Sequence, residues 1–535
     1  NDDPAATVDN AVPRDQAELL VFDAAAGVRS YGATGIYTPS VAIPVRIDLS
    51  ISGQPGTINV TENIPTGWTA QDILASFGSA SQSGSQVIWN LGAGASLAET
   101  LTYNLLPPVA ATGDFQLSGT VVTGIVSNPI SGAELLVAAD PIGIFDWHGD
   151  IGAPPLGQPG GNPSVPGTAS LSGTVYTITA AGADIWNPID RGHLTGADMT
   201  RGFALDALAA WSTPIPEIAN AWAKAGVMVR ASVRNDAAAA YTLVRNPENG
   251  GLDSGDISIA NRPTNGGTWG PSRGPVPEAL QPLTLRIVRL GEYTIHFRLD
   301  GTTWVYAAGD NPVFQSPDLG PDPVMACLMV TSHQDDGSGD TVTSPAVVDI
   351  VEATFDNVAI TPTALGDMPL REIGVDQAQL GVPIPVTIHL VHQNDANPFL
   401  IEETIPDGWA ATGISNGGTL AGNVISWSIP LDATTTSVSY TLFASGGGAI
   451  AGTFDGFVTD PLIEANIPVA GESSLTGAGV AGGPVAYWPL DDNAGDTATE
   501  IIGGQDGTLE ADAGWAAGRF GSAVQTAHTA TGGVT

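Results

Sequence analysis

Apolar and polar residues alternate with period two along most of this chain, in short runs that end at Gly, Asn, Asp or Pro. Thr174-Val-Tyr-Thr-Ile-Thr179, Leu283-Thr-Leu-Arg-Ile-Val-Arg289 and Tyr293-Thr-Ile-His-Phe-Arg-Leu299 show the pattern. Period two places every second side chain on one face of a pleated strand, so each run reads as a half-buried strand and each boundary as a turn. No long stretch has the apolar period of an amphipathic helix. The Ala-rich run from Phe203 to Ala210 reads as a short helix decorating the sheets. The prediction is an all-β protein of tandem β-sandwiches.

The pattern occurs twice. Pro44-Val-Arg-Ile-Asp-Leu49 matches Pro385-Val-Thr-Ile-His-Leu390, and Glu62-Asn-Ile-Pro-Thr-Gly-Trp68 matches Glu403-Thr-Ile-Pro-Asp-Gly-Trp409 at the same offset. Val87-Ile-Trp89 answers Ile425-Ser-Trp427, Leu101-Thr-Tyr103 answers Val438-Ser-Tyr440, and Phe115 answers Phe454. Landmarks kept in order over about 75 residues indicate an internal duplication. At the shared turn, Pro65 or Pro406 fixes φ, Gly67 or Gly408 takes a backbone conformation that other residues avoid, and Trp68 or Trp409 returns to cover the core. Its recurrence in both copies favours packing over sugar stacking for this tryptophan.

These landmarks divide the chain into a polar lead (1–18), a first sandwich (19–140), a central module (141–362), a second sandwich (363–470), a small-residue linker (471–484) and a last segment (485–535). Apolar strands are expected from Leu19-Leu-Val-Phe22 onward, and the Pro/Gly-rich stretch 154–166 reads as an ordered loop.

The two repeats resemble the Ig-like domains of bacterial surface proteins that carry an Ile-Pro-x-Gly-Trp turn. The central landmarks Ala183-Asp-Ile-Trp186, Trp222 to Arg230, Asp300 to Trp304 and Ala353 to Val358 resemble a concanavalin A-like (lectin/glucanase) jelly roll. Val485-Ala-Tyr-Trp-Pro-Leu-Asp-Asp492, Asp506-Gly-Thr-Leu509 and Gly514 to Ala523 are similar to the start of a laminin G-like jelly roll, which is expected to continue beyond Thr535 or to be completed by a neighbouring chain. The resemblance implies Ig-like, jelly-roll, Ig-like and partial jelly-roll units in a secreted, multidomain bacterial surface protein. It implies little about chemistry, because such folds host binding modules, enzymes and spacers alike.

Charge changes the picture more than length does. With 16 Lys+Arg against 55 Asp+Glu the formal net charge is -39, which repels nucleic acid and anionic lipid. Lys224 is the sole lysine, so an intramolecular Lys–Asn amide cross-link could form only there. The one cysteine, Cys327, lies in the apolar run Val324-Met-Ala-Cys-Leu-Met-Val330 and reads as a core residue. No run is long enough to span a membrane as a helix. The start at Asn1 reads as a processed or trimmed end, and export follows from composition and module type.

Candidate chemistry is sparse. The Glu-x-Asp-x-x-Glu set of jelly-roll glycosidases is absent; Glu278, Glu292 and Glu352 stand apart, and the seven His have no metal-ligand spacing. Asp184, Asp190, Arg191 and His193 form a small cluster with an expected structural role. Oxygen-rich turns make calcium the most plausible ligand, at Asp335, Asp336 and Asp340, at Asp146 and Asp150, and within Asn246 to Asp256. Trp186, Trp211, Trp269 and Trp304 are the candidates for stacking on sugar faces.

The expectation is a non-catalytic extracellular structural protein, a subunit of a cell-surface layer, adhesin or filament. Its expected partners are copies of itself or other surface proteins. The alternative is the glycan-binding part of a larger secreted enzyme or adhesin.

Overall fold

The computed structural model describes residues 24–32, 34–53, 56–92, 95, 98–151, 166–182, 184–186, 189–212, 222–245, 257–270, 282–308, 312–333, 350–393, 399–430, 435–444, 450–477, 495–499, 506–510, 513–517, 522–526 and 533–534. Among them there is no α-helix, and the strands pair into sheets that pack as sandwiches. The chain forms two compact units. One is built on the first repeat, the other on the central module, the second repeat and the C-terminal segment. The strands expected at Leu19–Phe22 and the loop 154–165 lie outside the described residues.

In the first repeat, Thr69–Ala75, Ala98–Leu106, Ile43–Ser52 and Ala24–Tyr31 lie side by side, as do Ser118–Thr123, Ile58–Asn63, Gln86–Leu91 and Ser79–Ser83. Val126–Gly132 joins the two sets, antiparallel to Ser118–Thr123 and parallel to Ala24–Tyr31. The second repeat has the same order. Ala410–Thr412, Ser437–Phe443, Pro383–His389 and Leu370–Ile373 make one sheet; Thr419–Ala421, Val424–Ile429, Phe399–Thr404, Asp455–Asp460 and Ala465–Pro468 make the other. Here Ala470–Gly471 provides the parallel pairing, against Leu370–Ile373. The duplication read from side chains is therefore a duplication of topology. The repeat runs past its expected end, because Ser474–Gly477 pairs with Ile450–Thr453; the stretch expected as a linker from 471 begins inside the sandwich.

Strand alternation places Ile47, Leu49, Val60, Trp89, Leu101 and Val121 in one core, and Ile388, Ile401, Trp427 and Val438 in its counterpart. Trp68 and Trp409 are both buried, and each backbone N–H bonds the carbonyl of the turn proline at 3.1 Å. Each core also encloses an ion pair. Arg29 donates to both carboxylate oxygens of Glu62, at 2.5 and 2.6 Å, and to the carbonyl of Ala133 at 2.9 Å, while the Tyr103 hydroxyl donates to Glu62 at 3.3 Å. Arg371 repeats this on Glu403 at 2.6 and 2.6 Å and on the carbonyl of Glu472 at 3.0 Å, with Tyr440 donating to Glu403 at 3.0 Å.

Burial opposes both charges. For Arg29 the hydrogen bonds and charge of Glu62 more than offset it and raise its pKa. For Glu62 burial is the larger effect and lifts the carboxyl above its usual range, with Arg29 and Tyr103 pulling it back. The bidentate geometry is that of a guanidinium holding a carboxylate. Two glycines make room for it in each repeat. A Cβ at Gly119 or Gly456 would collide with the carboxylate, and Gly132 and Gly471, at φ +94° and +91°, let the parallel strand lie against the arginine backbone.

The central module has two sheets. One runs Trp147–Ile151, Gly192–Met199, Val324–Thr331, Lys224–Arg230, Ala239–Arg245 and Ile257–Arg262. The other runs Thr168–Ser172, Val175–Ala180, Val351–Pro362, Phe203–Trp211, Leu283–Leu290, Tyr293–Asp300 and Thr303–Tyr306, with Val313–Gln315 also pairing to Tyr293–Asp300. Val227, Val229 and Leu328 of the first meet Leu205, Leu285 and Phe355 of the second. Phe203–Trp211 is thus an interior strand, not the short helix its alanines suggest. Pairing on both edges and burial of Leu205, Ala207, Ala209 and Trp211 override a propensity of under 1 kcal/mol per residue.

The outer face of the second sheet is also covered: Ala204, Val288, Leu290, Ile295 and Phe297 share one buried cluster with the core of the second repeat. Arg286 sits there, bidentate to Asp206 at 2.6 and 2.6 Å, 3.9 Å from the Trp304 ring and bonded to the carbonyl of Ile463. In the C-terminal segment, Ala513–Ala517 and Ser522–Thr526 form a hairpin, and Gly507–Glu510 pairs with Thr497–Ala498 and Gly533–Val534.

Glu62→Gln and Glu403→Gln are expected to destabilise their repeats by about 3–5 kcal/mol each, because each leaves a buried guanidinium without its counter-charge. The paired replacement of Arg29 by Met and Glu62 by Leu should cost far less. Calorimetry would resolve this as a lowered transition in the single variants, and an unmoved transition in Glu62→Gln would refute the structural role.

Candidate functional site

Four neighbouring strands of the six-stranded sheet, Lys224–Arg230, Ala239–Arg245, Ile257–Arg262 and Val324–Thr331, are buried on both faces. Alternation sends Ala225, Val227 and Val229 to the core and Lys224, Met228 and Arg230 to the opposite face. Cross-strand register sets Lys224 beside Arg245 and Thr331, Met228 beside Tyr241 and Cys327, and both Arg230 and Arg262 beside Ala239. Four buried cations on one face require anions, because an unpaired interior charge costs several kcal/mol.

The anions come from one short stretch of chain. Asp190, fully buried, accepts from Arg230 Nη1 at 2.6 Å, from Arg262 Nη1 and Nη2 at 2.9 and 2.6 Å, and from the Trp269 indole N–H at 3.0 Å. Arg262 also lies 4.9 Å from the centre of the Trp269 ring. Asp184 bonds Lys224 Nζ through Oδ1 and faces His333 Nε2 through Oδ2 at 3.1 Å. Burial is the largest effect on both partners of this pair. It prevails at Lys224, whose pKa is lowered, whereas at Asp184 the contacts with His333 and Lys224 prevail and hold the carboxyl below its usual range. The backbone N–H of Arg191 closes the stretch by bonding the Asp184 carbonyl at 2.8 Å. The cluster expected at Asp184, Asp190 and His193 is therefore two sets: the aspartates on this face, and His193 elsewhere, 2.9 Å from Asp150.

Asp184 and Asp190 thus pair with three of these cations, Lys224, Arg230 and Arg262. Cys327 lies in the middle of this face, fully buried, and burial pushes its thiol up to about 12. Sequence reasoning singled out Lys224 and the aspartates separately. Their pairing was hidden, because a strand position and a turn position 40 residues apart carry no mutual spacing signal.

The aromatic candidates separate. Trp211 and Trp269 are buried, with indole N–H groups bonded to the Arg245 carbonyl and to Asp190, so neither offers a face to a sugar. Trp304 lies under Arg286 at the contact with the second repeat. Trp186 is 36% exposed. Trp222, not among the candidates, is 41% exposed, with the Arg245 guanidinium 4.5 Å from its ring and the His333 ring tilted against it at 6.3 Å.

Among the calcium candidates, Asp146 is exposed and accepts the Asp198 N–H at 3.0 Å. Asp150 accepts the Gly167 N–H at 3.0 and 3.1 Å besides facing His193. Asp335, Asp336, Asp340 and the stretch 246–256 lie outside the described residues, as does Glu278. Among the described residues no group of three His, Cys, Asp or Glu is placed to hold a metal, and no helix is long and apolar enough to cross a membrane.

A family model described as LRR adjacent matches residues 410–463, from the strand Ala410–Thr412 to just past Asp455–Asp460 in the second repeat. The match lies within that one sandwich and is well short of half the chain. No curated protein matches the sequence.

Cys327 in the folded protein is expected to resist iodoacetamide at about pH 8, since a buried thiol with a raised pKa is scarcely ionised there, and to react fully once unfolded. Peptide mass mapping reads both states. Rapid alkylation of the native protein would mean that this face opens.

Proposed function

We propose that this chain is a non-catalytic structural protein of the extracellular surface, a repeating or spacing subunit of a cell-surface layer, adhesin or filament. In this reading the units are Ig-like, concanavalin A-like, Ig-like and laminin G-like in turn. The observation that carries it is the use of the buried charges: the ion pairs of both repeats and of the central module join strands or loops within the fold. The surface that remains is strongly acidic and suits a secreted protein whose contacts are made with copies of itself or with other surface proteins. Calcium bound at the acidic turns around Asp146 and Asp150 or at 335–340 would offset repulsion between such surfaces. The LRR adjacent description names a module by its neighbour in a chain, which fits a connecting role for the second repeat.

One observation favours glycan binding as a second reading. Trp186 and Trp222 are exposed near Asp184 and His333, so aromatic faces and polar groups lie at one rim of the central sheet.

Electron microscopy of the native source material, with sedimentation of the purified chain with and without calcium, distinguishes the two. Regular fibres or sheets with this chain as the repeat are the expected result. A monodisperse monomer at high concentration in both conditions, together with glycan-array binding lost in Trp186→Ala or Trp222→Ala, would replace the structural reading with the second.

A further inference from the structure

The chain makes its buried ion pairs with arginine almost without exception: Arg29, Arg230, Arg262, Arg286, Arg289 and Arg371 are all buried against carboxylates. Arginine suits that task, since its fork matches a carboxylate and it stays charged. At one position, in the same sheet face as Arg230 and Arg262, the cation is instead the sole lysine of 535 residues. What lysine has and arginine lacks is an amine that becomes a nucleophile once it gives up a proton. Lys224 is buried with Nζ on Asp184 Oδ1, and the other oxygen of that carboxylate faces His333 Nε2, on a side chain 29% exposed.

From this geometry we infer that Lys224 and Asp184 are a covalent modification site, at which the two side chains condense to an intramolecular amide. The Lys224 nitrogen attacks Cγ of Asp184, the C–Oδ2 bond breaks, and Oδ2 leaves as water. Both protons of that water come from the ammonium, relayed to Oδ2 by the His333 imidazole, so the ion pair becomes one amide and one water with no oxidant, activator or cofactor. Oδ1 remains as the amide oxygen. Burial, which lowers the pKa of Lys224, favours the neutral amine that must attack; the carboxylate that His333 and Lys224 hold ionised is the harder partner, so the proton delivered by His333 decides the rate. The bond would tie the turn at 184 to the strand Lys224–Arg230, closing a loop of 40 positions. This inference goes beyond the structural reading above and does not depend on it.

Intact mass spectrometry of the full chain, denatured after its mass has stopped changing, tests the bond. The expected mass is about 18 Da below that of the sequence, with one cross-linked peptide joining Asp184 to Lys224 after digestion. K224R keeps the charge and cannot form the amide, so it should show the full sequence mass. D184A should do the same, whereas D184N should lose about 17 Da, as ammonia in place of water. A wild-type chain at the full sequence mass overturns the proposal, as does a deficit that persists in K224R or maps to other residues. Because the wild-type measurement decides, a variant that fails to fold does not rescue the idea.

Discussion

Pairing of buried charge is the constraint on which the rest of the structure depends. A chain with so few cations keeps many of them inside: Arg29, Arg230, Arg245, Arg262, Arg286, Arg289, Arg371 and Lys224 are all buried. Each interior charge taken from water must regain several kcal/mol from a partner held in good geometry. The partners fix which strands and turns can be neighbours. Arg29 with Glu62 and Arg371 with Glu403 tie the first sheet of each sandwich to the second. Asp190, reached by two arginines and an indole, holds a turn against a sheet. Apolar side chains could fill these places with equal or greater stability, but they would accept many registers, whereas a bidentate pair accepts few.

The same logic makes the second unit continuous across the module boundary. Phe203–Trp211, Leu283–Leu290 and Tyr293–Asp300 bury side chains on both faces, one toward the central core and one toward the second repeat. Arg286 satisfies its charge on Asp206 of its own sheet and reaches the backbone of the repeat. Relative movement of two such modules would expose apolar surface and take the Ile463 carbonyl from the Arg286 guanidinium, so bending there is opposed by both terms.

Much of this was legible in the sequence. Period-two alternation identified the strands, and the ordered landmarks from Pro44 and from Pro385 identified the duplication, because both are local or translational signals. Phe203 to Ala210 misled, since alanine propensity is weak beside pairing on two strand edges. Glu62 and Glu403 were visible as the first letters of a repeated turn, yet their arginines were not, although Arg29 and Arg371 stand at similar offsets of 33 and 32 residues before them. The fate of the tryptophans was not legible: whether an indole faces solvent or a guanidinium is decided by a neighbouring strand, and so Trp186 and Trp269, alike in sequence context, end in opposite surroundings.

The seclusion of Lys224 has a practical side. With that nitrogen hidden from solvent, the folded molecule presents no side-chain amine to aldehyde fixatives, succinimidyl esters or lysine-directed proteases. Side-chain coupling to the folded molecule would draw instead on its abundant carboxylates.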